Sequence, residues 1–379
     1  MPETAKRGAC AMNRWWMPGF GVVLALAGFG GPASAQPQAT FDHDLVARQT
    51  LDNVIRPGLS RLQGKALALR EAIGEACVAN TGVGQRRIAV AFDGFVDAWG
   101  RVELLRFGPL TAQYRAERIL FWPDRGGRGL ARVKRAIAKR DRSVTDAALL
   151  AQKSPTAKGL SALDAVLYGN LAHDAAGRAF MCAYALAIAI RLEATAVEIS
   201  ADWSAPDGYQ HLWLAAGPGN AAFKSGAERT SVLASVMNTG LEQVRDDRIA
   251  GPLGFNRTRH KTTPPLPFSG RGLKLVVGNL SGLLALYADG GLMAALEKAA
   301  PADMSTAVRK RAQRVRQMLA ETRDQLAKLP QVQAPFSDPR QMRAIVGAGF
   351  PLKSVRKDFA DLMSEVAGVP TGFTASDGD

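Results

Sequence analysis

The sequence is poor in the side chains that bind transition metals. Among 379 residues there are four histidines, His43, His173, His211 and His260, and three cysteines. No two histidines stand in the His-x-x-x-His spacing that puts both imidazoles on one helix face, and HExxH is absent. Both absences exclude the usual zinc-peptidase framework. No G-x-S-x-G elbow occurs, which removes the common serine-hydrolase signature. C-x-x-C-H is missing as well, so haem attachment through that motif is excluded. Aromatic residues make up only 7%, and none is interleaved with the basic runs to stack on bases. Nucleic acid is therefore not an expected partner. Series of alternating apolar and polar residues, the mark of half-buried strands, are lacking too.

What is present supports a large helical core. Hydrophobic residues make up 47% and charged residues 22%, values of an ordinary globular chain. The length suits two domains. The first residues read as a targeting signal. Lys6, Arg7 and Arg14 precede a short apolar run at 19–31, and the small-x-small sequence at 33–35 predicts cleavage near Ala35. That run follows Met12 at normal signal spacing, so either Met1 or Met12 serves as the start. Cys10 precedes the run and cannot carry a lipid after cleavage. The expectation is an exported, soluble, periplasmic protein with no transmembrane span after cleavage. Cys77 and Cys182 remain, and in an oxidising compartment they suggest one disulfide, two buried free thiols being the alternative.

The net charge is +14. Residues 125–142 hold Arg125, Arg128, Arg132, Lys134, Arg135, Lys139, Arg140 and Arg142 against Asp141 alone. A second run holds Arg309, Lys310, Arg311, Arg314 and Arg316. Such runs attract an anionic polymer or surface, or else form a solvated helix face.

The dominant period is helical. Ile88, Phe92, Phe95, Val96, Trp99, Val102 and Leu105 form one stripe that stops at Gly108-Pro109. Residues 178–199 read as a long, largely buried helix. Residues 305–329 place Val308, Ala312, Val315, Leu319, Thr322 and Leu326 on one face, with Ser305 or Thr306 as the cap and Pro330 as the stop. Another helix should run from Pro155, after a Ser154 cap, to a stop at Gly169. Within it Ser161 and Asp164 lie three apart, and Gly159 leaves room for a close neighbour. "RFGPL" at 106–110 is echoed by "RIAGPLG" at 248–254, and "GLSALDAVLYG" at 159–169 by "GNLSGLLALYADG" at 278–290. The echoes hint at an ancient duplication. Proline and glycine gather at 203–225, so the expected division is an N-terminal bundle at 36–205 and a C-terminal bundle at 206–379. The fold class is all-α, two related helical bundles with a cleft between them.

The segments "FDGFVDAWGRVELLRFGPL", "RAERILFWPDRGGRG", "KGLSALDAVLYG" and "PFSGRG" before "NLSGLLALY" resemble, in that order, the imelysin-like family. The resemblance covers roughly residues 41–365. It implies an exported bacterial protein of two helical bundles. The family carries a peptidase name from its founder, while many members resemble iron-regulated surface or periplasmic proteins, and relatives work in iron uptake or polysaccharide binding. The family hallmark, Gly-x-His-x-x-Glu, faces the cleft. Here Gly159 keeps the glycine, Ser161 replaces the histidine and Asp164 replaces the glutamate. Serine is a poor transition-metal ligand. The resemblance implies a cleft lined by Arg106, Trp122, Asp124, Gly159, Ser161 and Asp164, with Ser269 and Arg271 closing it. Asp124 and Asp164 are the candidate ligands for iron or another divalent cation, through oxygen. The expected role is non-catalytic: binding or accessory work in iron or metal uptake, with periplasmic or membrane uptake components as partners. An anionic polysaccharide held on the basic surface and a metallopeptidase are the alternatives.

Overall fold

The computed structural model describes residues 40–79, 82–171, 174–255, 262–330, 336 and 338–370. The expected signal segment and its cleavage point, Cys10, His173 and His260 lie outside these residues. Residues Gln38–Asp379 form one compact unit. Among the described residues the regular elements are helical and no strand occurs. The chain begins with α1 (His43–Thr50), α2 (Arg56–Ala79), α3 (Gly82–Glu103), α4 (Arg115–Ile119), α5 (Arg128–Ala138) and α6 (Ala147–Ala151). It continues through α7 (Pro155–Lys158), α8 (Leu160–Tyr168), α9 (Ala175–Ser204), α10 (Tyr209–Leu214) and α11 (Gly226–Glu242). It ends with α12 (Gly251–Leu253), α13 (Gly272–Ala288), α14 (Leu292–Ala299), α15 (Ser305–Ala327), α16 (Pro339–Gly349) and α17 (Pro351–Ala367).

The periodic stretches fold as their patterns predict. On α3, Phe92, Phe95, Val96, Trp99 and Val102 are buried. On α15, all six residues of the predicted stripe are buried. The cap of α15 differs: Met304 holds the N-cap position with no side-chain bond, and the Ser305 hydroxyl donates to the Ala302 carbonyl instead. The expected helix at 155–168 is broken at Gly159, whose extended backbone separates α7 from α8. Crowding accounts for the glycine at this break. A Cβ at Gly159 would lie 2.9 Å from the Ile119 carbonyl oxygen and 3.1 Å from that of Arg118. The close neighbour foreseen at this glycine is therefore the end of α4.

Helix α3 packs along both α2 and α13. The α3–α13 crossing runs through glycine. A Cβ on Gly100 would meet the Leu275 carbonyl oxygen at 2.9 Å and the Gly278 Cα at 3.0 Å, and a Cβ on Gly282 would collide with the Arg101 carbonyl oxygen. Beside this contact sits a buried polar triad. Glu103 accepts from Arg248 Nη2 through one oxygen and from Asn279 Nδ2, at 3.1 Å, through the other. Asn279 Nδ2 also donates to the Gly100 carbonyl oxygen at 2.8 Å. Each of the three residues is at most 1% exposed. A buried carboxylate without such partners would cost several kcal/mol.

Cys77 and Cys182 form a disulfide between the end of α2 and the first turns of α9, with Cα atoms 5.6 Å apart. The free-thiol alternative is thereby removed. A bridge closing a loop of this length stabilises by about 4.7 kcal/mol in the chain-entropy account. The stretches Ala175–Ser204 and Gly272–Ala299 are long and apolar enough to cross a membrane. Within this unit they turn Tyr184, Ile188, Leu192, Val276, Leu280 and Leu283 into the core.

Replacing Gly282 with Ala should lower the unfolding free energy by about 2 kcal/mol or more, because two backbones must separate to admit the methyl group. The same change at Gly64 on α2, which has nothing within 4 Å, should be neutral or stabilising by about 0.5–1 kcal/mol. Urea denaturation of the two variants checks the contrast.

Candidate functional site

The segment Phe121–Asp124 joins α4 to α5 and includes a cis Trp122–Pro123 bond. Asp124 ends it by capping α5. Its two carboxylate oxygens accept from the Gly129 N–H, at 3.0 Å each, and one also accepts from the Leu130 N–H at 3.1 Å. Gly126 and Gly127 supply the positive φ angles of 78° and 65° that this turn requires. The Trp122 indole N–H donates to the Thr263 carbonyl oxygen at 3.0 Å, tying the turn to the proline-rich segment before α13. On its ring lies the guanidinium of Arg248, 5.3 Å from the centroid. The Ser161 hydroxyl, on the first turn of α8, donates to the Phe121 carbonyl oxygen at 3.4 Å.

These elements enclose a cavity of about 500 Å³. Trp122, Asp124, Ser161, Thr263 and Phe268 are among its lining residues. Asp164, one turn along α8 from Ser161, is fully buried beside it. Its carboxylate accepts from the Phe268 N–H at 2.9 Å and the Ser269 N–H at 3.0 Å, one bond to each oxygen. The residue thus clamps the turn that leads into α13. Burial pushes its carboxyl up from 3.8 to about 6, against the pull of the Ser269 and Phe268 hydrogen bonds and the Arg271 charge. Arg271 extends the clamp. It donates through Nε to Asp93 on α3 at 2.8 Å, donates through Nη1 to the Ser269 carbonyl oxygen at 2.6 Å, and lies over the Tyr168 ring at 5.1 Å. Burial raises the Tyr168 hydroxyl to about 12.

The structure therefore divides the residues named from the sequence into two adjoining groups. Trp122, Asp124 and Ser161 line the cavity. Asp164, Ser269 and Arg271 form a polar clamp behind it. Gly159 marks the break before α8. Arg106 joins neither group: it is exposed and pairs with Glu117 at 2.6 Å. Asp93, Tyr168, Glu103, Arg248 and Asn279 were missed by sequence reasoning. A signal existed for three of them. Glu103 interrupts an apolar run, Asn279 sits inside the most apolar stretch of α13, and Asp93 lies within the "FDGF" segment.

A resident transition metal does not fit this donor set. Asp124 and Asp164 both spend their oxygens on backbone N–H groups, and Ser161 offers only a hydroxyl. Among the described residues no group of three or more His, Cys, Asp and Glu side chains is placed to hold an ion. His43 instead hydrogen-bonds the Thr230 hydroxyl at 2.8 Å, and burial and the nearby Arg229 lower its pKa. His211 is exposed.

An all-helical fold in which a Gly-x-x-x-x-acid helix clamps a proline-rich turn beside a cavity defines a class of helical-bundle protein. The imelysin family model (Peptidase_M75) matches residues 55–349, and the chain belongs to that family. Solved structures agree on the fold. The imelysin-like protein from Psychrobacter arcticum 273-4 superposes with a TM-score of 0.70 at 20% identity, over 88% of this chain and 100% of that one. A candidate iron-regulated protein A precursor from Parabacteroides distasonis ATCC 8503 superposes with a TM-score of 0.65 at 13% identity, over 86% of this chain and 98% of that one. No curated protein matches the chain.

The raised carboxyl of Asp164 links stability to pH. Because the folded value exceeds the unfolded one, its contribution is complete below about pH 4 and lost as pH rises through about 6. The difference is of order 3 kcal/mol. Denaturation at pH 4, 5, 6 and 7 should show this decline in the wild type and a flatter profile in Asp164→Asn.

Proposed function

We propose that this imelysin-family chain acts by binding rather than by catalysis, in an accessory role in iron or metal uptake outside the cytoplasm. The observation that carries the reading is the state of Asp164. The acid of the family motif is engaged by two backbone N–H groups, and Ser161 replaces its histidine. A peptidase zinc needs three protein ligands and an activated water, and these residues supply neither. The iron link is supported by the neighbour described as iron-regulated. The disulfide agrees with an oxidising compartment, the periplasm in this reading. Partners are uptake components in the periplasm or membrane. The division into bundles 36–205 and 206–379 belongs to the same proposal.

The test has two parts. The protein, purified without chelator and challenged with zinc, copper and iron, should neither hydrolyse casein nor gain activity. A strain lacking the gene should grow more slowly in iron-limited medium, with repair by Asp164→Asn as well as by the wild type. Casein hydrolysis abolished by a chelator would overturn the non-catalytic reading.

A second reading is favoured by one surface. Helix α5 buries Gly129, Val133 and Ile137 and exposes Arg128, Arg132, Lys134 and Arg135, a one-sided basic face. This face suits an anionic polysaccharide. The second basic run differs, because Arg311 and Arg314 on α15 are paired with Asp361, Glu365 and Asp358 of α17. If α5 binds polymer, retention on an alginate or heparin matrix should fall steeply with salt, and replacing Arg132, Lys134 and Arg135 with Gln should abolish it.

A further inference from the structure

We propose that the cavity beside α8 is a binding site for a small amphipathic anion: an apolar body, of ring or short-chain size, with one carboxylate, sulfonate or phosphate head. The proposal deepens the binding reading above and rests on it.

Three observations carry it. The first is size and lining. A volume of about 500 Å³ falls within the range of small-molecule sites. Its walls are mainly apolar, with Trp122, Leu130, Val133, Ala165, Leu266 and Phe268 contributing. Such walls favour an apolar body over a hydrated ion or a sugar.

The second is that the walls are braced from behind. Trp122 is held at its indole N–H by the Thr263 carbonyl and on its ring by Arg248. Arg248 is itself fixed by the buried Glu103. Phe268 is held through its N–H by Asp164. Moving the Trp122 ring or the Phe268 backbone breaks a hydrogen bond, so part of the ordering cost of binding is met in the free protein.

The third is charge. Asp124, a carboxylate in the lining, has both oxygens turned to N–H groups of α5. Arg125 is an exposed lining residue. It feels the charge of Asp247, yet among the described residues no carboxylate stands within ion-pair distance of it. Arg128 is exposed three residues further along. An anionic head at this mouth gains attraction without displacing an internal partner. The Ser161 hydroxyl, whose bond to Phe121 is long at 3.4 Å, is available to a second polar atom of the ligand.

The experiment uses the full chain and two fluorescent probes of similar shape: anionic 8-anilinonaphthalene-1-sulfonate and neutral N-phenyl-1-naphthylamine. Both should bind saturably at one site, the anion more tightly. Filling the cavity from either of two walls, by Ser161→Phe or Thr263→Trp, should weaken both probes at least about tenfold while helical content and melting temperature hold. Arg125→Glu should weaken the anion about tenfold and leave the neutral probe within about twofold. Lys353→Gln, exposed on α17 and outside the cavity lining, should change neither. Wild-type binding in both filled variants would overturn the site, and equal affinity for the two probes in wild type and Arg125→Glu would overturn the preference for an anion. If neither probe binds while the iron-limited growth defect persists, the ligand class fails and the accessory role stands. Chelator-sensitive casein hydrolysis together with probe binding would leave the site and remove the accessory role.

Discussion

Where α3 crosses α13, Gly100, Gly278 and Gly282 remove the side chains that would hold the two helices apart. The backbones meet, and their register is then set. That register places Asp93 and Glu103, both on α3, opposite groups from the second half of the chain. Asp93 receives Arg271, and Glu103 receives Arg248 and Asn279. Each of these pairs supports one wall of the cavity. Arg248 backs Trp122, and Arg271 bonds the turn that Asp164 clamps. A shift of one helix turn at the crossing would separate all of them.

Asp164 does mechanical work in this fold. A carboxylate that accepts two backbone N–H bonds, one on each oxygen, is a good clamp and a poor metal ligand. The shorter aspartate suits that work. Ser161 is small enough to leave the cavity open beside α8. Burial nevertheless opposes the charge on Asp164, and this opposition ties the fold to proton concentration. The same features that argue against a zinc peptidase thus leave a shaped, braced space whose lining is mostly apolar.

Much of the architecture is legible in the sequence because it follows from local periods. The stripe of α3 and the repeating pattern of α15 report their buried faces directly. The extent of α9, Ala175–Ser204 rather than 178–199, differs only at its ends. The break at Gly159 is not legible, since it lies against carbonyls of α4 some 40 residues away. The cap of α15 fails for a smaller reason: the Ser305 hydroxyl finds a carbonyl behind it instead of an N–H ahead. Among the site residues, Trp122, Asp124, Ser161, Asp164, Ser269 and Arg271 could be named from their motifs. Their grouping into a cavity and a clamp could not, because it depends on pairings across 100 residues or more. Arg106 pairs locally instead, with Glu117 only 11 residues along the chain. Its echo, Arg248, is the arginine that reaches the interior.

The disulfide gives this arrangement a topology. Residues 77 to 182 form a covalent ring, closed across a separation of 105 residues. Asp93, Gly100, Glu103, Trp122, Asp124, Ser161 and Asp164 all lie within the ring. Thr263, Phe268, Ser269, Arg271, Gly278, Asn279, Gly282 and Arg248 all lie in the tail that follows it. Apart from the Arg271–Ser269 bond inside the tail, the bonds that brace the cavity from behind fasten tail to ring, like a clasp. The circumference of the ring is set covalently, so opening the cavity means unfastening the clasp, with the ring left whole.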